Sequence, residues 1–336
     1  MRLAPDSALA VATVPLIFHR LRLAPGALLQ PALGGRRVGV GDDSVAAPLL
    51  APAGDVFDAW TSHAPTQDGR HGCIRYRTDG HWLHGVAEID DRAVGVQNAA
   101  HRAYLDLFAV LAANPCSHLL RIWNYLDDIN GEVDGIERYR QFNVGRQQAF
   151  IEARHSAFEG APAACALGTR GGPLRVHFLA GRHAPLAIEN PRQISAYRYP
   201  DAYGPRSPTF SRAALIEAGG DRQVLFISGT ASIVGHVSVH VGDVRRQTEE
   251  SLLNIATLRQ VAGARCGVPL AADDLVYTVY VRDADDLGSV RQAFEREVGA
   301  RSAAARDAVY LQADICRADL LVEIEAHGFV GSKGVA

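Results

Sequence analysis

The sequence predicts an α+β protein in which one structural unit occurs twice. Apolar residues switch repeatedly between a period of two and a period of about 3.6, the marks of strand and helix. The order helix, strand, helix, strand pair occurs in each half, offset by about 150 residues. Between the halves, Pro185 to Arg212 carries Pro191, Pro200, Gly204, Pro205 and Pro208, which suits an irregular connection. Each unit is therefore expected to be a mixed β-sheet with two helices packed on one face. The expected division is a first unit over 1–182, the connection over 183–212, a second unit over 213–330 and a disordered tail over 331–336.

In the first unit, Ile74–Arg77 and Trp82–Ala87 flank Asp79-Gly80, a dipeptide that favours a tight hairpin turn. Val94 to Ala113 reads as a helix, His118–Leu126 as a strand and Gly135 to Arg154 as a second helix. Ala163–Leu167 and Leu174–Leu179 read as the closing hairpin. In the second unit, Val224–Ile227 is an apolar strand entering the small-residue run Ser228 to Ser232. Val244 to Val261 places Leu252, Leu253, Ile255, Ala256 and Leu258 at helical spacing, with Asp243 a candidate N-cap and Gly263 and Gly267 candidate stops. Leu275–Val281 is β-branched and aromatic, so it reads as a strand, and Asp285 to Val298 as a helix. Ala308–Ile315 and Leu320–Ile324 are expected to form a hairpin closed by Cys316, Arg317, Ala318 and Asp319.

Composition excludes several classes of function. The 336 residues are 48% apolar and 21% charged, enough for two cores. A net charge of -3 gives no basic footprint for nucleic acid. Lys333 is the single lysine among the 34 basic residues. Genome composition accounts for most of that bias, but guanidinium forks also match carboxylates. The five cysteines have neither the pairing of a disulfide framework nor the spacing of a zinc site, so no metal and a reducing, cytoplasmic setting are expected. No run approaches the ~18 apolar residues of a membrane span. The stretch Ala8 to Phe18 is short, contains Pro15 and is not expected to act as a leader.

The chemistry-bearing residues lie in five segments. Cys316 to Ala326 reads CRADLLVEIEA, and strand alternation puts Glu323 and Glu325 on the face opposite Val322 and Ile324. A strand glutamate is ordinarily a solvated one; two on one face beside a cysteine turn are a candidate acid site. Gly229, within SGTAS, permits close backbone approach, for a ligand or for a neighbouring strand. In RIWNYL, Asn124 shares a face with the apolar residues, which suits a core hydrogen bond and a ligand contact equally. Arg146, in GRQQAF, is expected to be exposed on its helix. The connection interleaves Arg192, Tyr197, Tyr199, Tyr203 and Arg206 with prolines, which fits either a packed loop or a site for a small anion. P-loop, GxSxG, HExxH and paired CxxC patterns are absent.

These segments together resemble the chorismatase family, whose C-terminal half is similar to the RidA (YjgF) family. RxWN, GRxxAF, GTRGG, IENPRQ, AYxYP, YGPR, SGTAS, GH and CRxDLLVEIE occur in the family's order between Arg121 and Glu325. The first ~70 residues match least and receive no role. The resemblance implies two RidA-like units, the N-terminal one degenerate, and an enzyme that removes pyruvate from chorismate without a cofactor. It implies Glu323 as general acid, and Arg146, Arg206, Tyr197, Tyr203 and Asn124 as substrate-binding residues. Glu325 is left open as a partner of Glu323 or a surface residue, and Arg192 is held as structural. Family members with Gly at the Gly229 position and Cys at the Cys316 position aromatise the ring, which implies 3-hydroxybenzoate, with 4-hydroxybenzoate open as a second product. The other implied outcomes are hydrolysis to a dihydroxycyclohexadiene carboxylate, a RidA-like imine deaminase, or a metabolite-binding module. Against the deaminase, Ala308-Val309-Tyr310 lacks the arginine that family uses there. The oligomeric state, monomer or trimer, is not fixed.

Overall fold

The structure, a computed structural model, describes residues 14–23, 33–38 and 44–330. The expected tail over 331–336 and residues 8–13 of the N-terminal apolar stretch lie outside the described residues. Strands β1 (Ile17–Leu23), β2 (Gly34–Val38), β3 (Ser44–Val45) and β5 (Asp55–Thr61) form a small sheet in the order β1-β5-β2-β3, while β4 (Leu49–Ala51) leaves it for another sheet.

The first unit contains β6 (Gln67–His71), β7 (Ile74–Thr78), β8 (Trp82–Ile89), α1 (Val96–Ala112), β9 (His118–Asp127), α2 (Arg138–Glu152), β10 (Ala163–Thr169) and β11 (Leu174–Gly181), with strand order β10-β9-β11-β8-β7-β6. The second contains β12 (Leu186–Ile188), β13 (Ala213–Gly219), β14 (Arg222–Ala231), α3 (Val244–Cys266), β15 (Val276–Val281), α4 (Leu287–Val298), β16 (Val309–Gln312) and β17 (Val322–Val330). Its sheet runs β16-β15-β17-β14-β13-β12, with β4 added beside β16. The two orders correspond strand for strand. Directions correspond too: β9 and β10 are parallel, as are β15 and β16, and every other adjacent pair within the six shared strands is antiparallel. The duplicated sheet-plus-two-helix architecture is thus present.

Both closing hairpins are corrected. β16 does not pair with β17; each pairs with β15, which lies between them. β10 and β11 likewise flank β9. A strand, a crossover helix and a parallel strand come first, and the last strand returns on the other side. Sequence neighbours with a short link look like a hairpin, but the nine residues 313–321 here carry the chain past β15. The connection is also less irregular than expected, since β12 extends the second sheet. Gly263 does not end α3; Gly267 does, in the left-handed region at φ 70°, while Asp243 accepts from the Arg246 amide at the other end.

Alternation divides each sheet into two faces. Ile122, Leu126, Val176 and Phe178 pack under α1 and α2, and Val279, Val322, Ile324 and Ala326 under α3 and α4. The opposite faces meet in a central core with the N-terminal sheet, where Trp60, Trp123, Phe226 and Tyr280 are buried. The described residues between 14 and 61, given no role from sequence, complete this core. Arg20 donates to Asp58 at 2.7 Å and to the Tyr277 carbonyl at 2.6 Å, which clasps the small sheet to β15.

Candidate active site

The face of β17 turned away from the helices carries Glu323 and Glu325, and both are buried. Their environments are opposite. Glu325 receives Arg36 at 2.9 Å and the Tyr280 hydroxyl at 3.0 Å, and also pairs with Arg121. Burial alone would raise its pKa, but the two guanidinium groups hold it down to about 2. Glu323 accepts no side-chain hydrogen bond among the described residues. Burial, then the charge of Glu325, pushes it up to about 8, against the opposing pull of Arg121. At neutral pH one glutamate is therefore an acid and the next on the same face an anion.

Glu323 opens on a cavity of about 620 Å³ between the two units. Its walls come from the start of α2 and the loop before it, from the connection, and from β14 and the segment leading into β17. Gly229 lies opposite the acid. The pairing of β14 with β17 shifts register between Ile227 and Thr230, so an extra residue bulges there. Ser228 fixes the bulge: its hydroxyl donates to the Ser211 carbonyl at 2.6 Å and accepts from the Ala164 amide at 2.9 Å. A Cβ on Gly229 would fall inside the Glu323 carboxyl, so glycine makes the room in which the acid sits.

Cys316 lines the same wall. Burial, and then the proximity of Glu323, pushes its thiol up to about 12, so it is a neutral group. The segment carrying it is pinned from outside the cavity. Arg282 donates to the Leu320 carbonyl at 2.8 Å and the Arg317 carbonyl at 2.9 Å, and Gln247 donates to the Asp319 carbonyl at 2.8 Å. Sequence reading missed both pins, because each acts on backbone atoms remote in the chain.

Three cavity arginines were also missed, and one of them, Arg140, pairs with Glu137 at 3.2 Å. Arg317 stacks 4.0 Å over Tyr203 and donates to the His236 carbonyl at 2.9 Å. Arg212 donates to the Tyr199 hydroxyl and to the Ile194 carbonyl, each at 2.7 Å. Nη2 of Arg317 and Nε of Arg212 have no partner among the described residues. The signal was present: Arg317 lies within CRxD and Arg212 is the last residue of the connection.

Of the eight residues named from sequence, Glu323, Cys316, Gly229 and Tyr203 line this cavity. The other four do not. Asn124 points under the helices, where it accepts from Tyr104 at 2.6 Å and donates to the Cys165 carbonyl at 2.8 Å. Arg146 is buried rather than exposed, 2% accessible, because α2 packs that face inward; it donates to Asn143 at 2.8 Å and lies behind the cavity residue Tyr139. Arg206 is exposed, and Tyr197 is half-buried beside Arg198. Arg192 pairs with Glu250 at 2.6 Å, away from the cavity wall.

A larger cavity, about 800 Å³, lies against β6, β7 and β8. Its carboxylates Asp68 and Glu88 are paired with Arg77 and Arg175, and it holds no buried acid. Chemistry therefore selects the smaller cavity. Among the described residues no group of three or more His, Cys, Asp or Glu could hold a metal ion.

Residues 58–180 match the family model of the N-terminal region of FkbO/Hyg5-like chorismatases. A 3-hydroxybenzoate synthase of Streptomyces hygroscopicus is 37% identical over 288 residues, covering 82% of this chain and 83% of that protein. The chain belongs to the chorismatase family. A chorismatase of Streptomyces rapamycinicus is 39% identical over 278 residues, 80% of each chain. A chorismatase crystal structure superposes with a TM-score of 0.81 at 30% identity, covering 95% of this chain and all of that one. The family model falls on the first unit, which lacks an equivalent acid: on β11 the residues facing the central core are Arg175, His177 and Leu179. In this chorismatase the first unit instead supplies Arg121 and one wall of the cavity.

Proposed function

We propose that this chain converts chorismate to pyruvate and 3-hydroxybenzoate, with Glu323 as the general acid. One observation carries the reading: a buried carboxyl, protonated at neutral pH, opens on a cavity whose lining includes Arg212 and Arg317. The reaction needs that combination. The enolpyruvyl ether is cleaved after protonation of its methylene carbon, which creates an oxocarbenium centre. An ordinary carboxylate would already be ionised at neutral pH. The two products together contain every atom of chorismate, so no co-substrate is consumed.

Arg212 and Arg317 are assigned to the two substrate carboxylates, with Tyr199 and Tyr203 shaping the pocket between them. Each arginine has a nitrogen unmatched by protein, and carboxylate binding would engage the remaining donors. Arg146 is assigned to the support of Tyr139 rather than to direct contact. The neutral thiol of Cys316 sits beside the acid, where it can direct the ring's aromatisation without serving as a base. The two units are taken as 1–182 and 213–330, with the connection closing the cavity. Among the described residues no helix is long and apolar enough to cross a membrane; the chain is assigned to the cytoplasm.

Incubation with chorismate, followed by chromatography, is expected to give equal amounts of pyruvate and 3-hydroxybenzoate. A dihydroxycyclohexadiene carboxylate as the main product would replace the aromatising reading with hydrolysis. Mainly 4-hydroxybenzoate would refute the assigned regiochemistry, and no pyruvate would remove the reaction altogether. Arg317→Gln should raise KM about tenfold or more, the loss expected for a charge-assisted hydrogen bond. An unchanged KM in steady-state kinetics would show that Arg317 does not hold the substrate.

A further inference from the structure

We propose that Glu325, held as a fixed anion by Arg36, Arg121 and Tyr280, is a positioning residue that keeps the proton on Glu323 between turnovers. The proposal rests on Glu323 being the general acid. Two residues apart on one strand face, the carboxyls leave Cα atoms about 6.6 Å apart. Across the sheet, Tyr280 stands directly opposite Glu323, and its hydroxyl reaches diagonally to Glu325.

The other groups around Glu323 cannot take over this task. Cys316 on the segment before β17, Cys165 on β10 and Tyr139 on α2 all stay neutral, because burial drives their pKa values upward. The remaining fixed charge that bears on Glu323 is Arg121, from β9, and it favours ionisation. Release of the Glu323 proton must therefore be opposed by burial and by Glu325.

Glu325 is itself prevented from taking the proton. Arg36 on β2 is braced by Asp58 at 3.1 Å and by the Tyr125 hydroxyl at 2.7 Å. His327, two residues further along β17, is held neutral by burial, with its pKa lowered to about 3. The anion thus rests on groups from three separate sheets. A carboxyl pair of this kind splits one proton unequally: one member always carries it, and the other never does. The ring loses one proton as it aromatises, which balances the proton that Glu323 gives to the methylene carbon, and the fixed anion favours its return to Glu323.

The test is the pH dependence of kcat/KM in three variants. Glu323→Gln should lose at least about a hundredfold in turnover at every pH; if it keeps near-wild-type activity, the general-acid reading fails, and this proposal with it. Glu325→Gln should remain active only at lower pH, its alkaline limb displaced downward by at least about one unit, a tenfold change in proton affinity. Glu325→Asp, which keeps the charge, should restore the limb to within about half a unit. That loss in Glu323→Gln together with an unmoved limb in folded Glu325→Gln would overturn the proposal alone. Should Glu325→Gln not fold, carboxyl-labelled glutamate NMR decides. The signal lost in Glu325→Asp must stay ionised through the range in which the Glu323 signal titrates. Joint titration of the two signals would overturn the proposal.

Discussion

Glu323→Gln should lower kcat by about a hundredfold to ten-thousandfold, the range that a positioned proton donor contributes, while chorismate still binds. Glutamine keeps the shape of the acid beside Gly229 and removes the transferable proton. The same change should stabilise the fold at high pH. A carboxyl whose folded pKa is about 8, against an ordinary 4.5, contributes stability that is fully present below pH 4.5 and is lost as pH rises toward 8. At pH 8 and above, wild type should be less stable than the variant by on the order of 3–5 kcal/mol, and the two should converge near pH 4.5. Urea titrations at pH 5 and pH 8.5, paired with kcat, would measure both effects. A variant that is inactive yet no more stable at pH 8.5 would contradict the buried neutral acid.

Much of this arrangement was legible in the sequence. The period-two pattern of VEIEA placed both glutamates on one face, and the structure puts them on the face looking into the central core. The order of helices and strands gave the duplication correctly. What it could not give was partnership across the sheets. Arg36 and Arg121 meet Glu325 from β2 and β9, about 290 and 204 residues away, and no local pattern encodes such a meeting. Arg36 lies in the stretch that matched the family least and received no role. Arg146 was misjudged because its helix is polar nearly all round, and the face it buries carries Asn143 and Gln147 beside Phe142 and Phe150. Arg212 and Arg317 escaped notice although they lie within recognised segments, since strand and loop arginines are ordinarily solvated. Their stacking on Tyr199 and Tyr203 depends on how the connection folds back over the second sheet. Gly229 was read as room for a ligand or for a neighbouring strand, and the room turns out to hold the acid on the neighbouring strand.

Arg121→Met should be the most destabilising of these substitutions, costing about 3–5 kcal/mol. Arg121 is 1% accessible, its guanidinium lies over the Trp123 ring, and its loss leaves Glu325 buried with Arg36 as its one remaining cation. The cost should depend on pH in a definite direction. Glu325 has a folded pKa lowered to about 2, so its pairing stabilises the fold above about pH 4.5 and is lost as pH falls toward 2. The gap between Arg121→Met and wild type should therefore be widest near neutrality and close on the acid side. Thermal or urea unfolding between pH 7 and pH 3 reads this out. The double variant Arg121→Met/Glu325→Met removes both charges together and should cost less than the sum of the single changes, because neither partner is left buried alone. Additive losses would mean that the ion pair does not hold the two units together. Arg121 also opposes protonation of Glu323, so the single variant should retain its acid to higher pH than wild type. The residue that secures the fold would then be the one that limits how far the acid's pKa can rise.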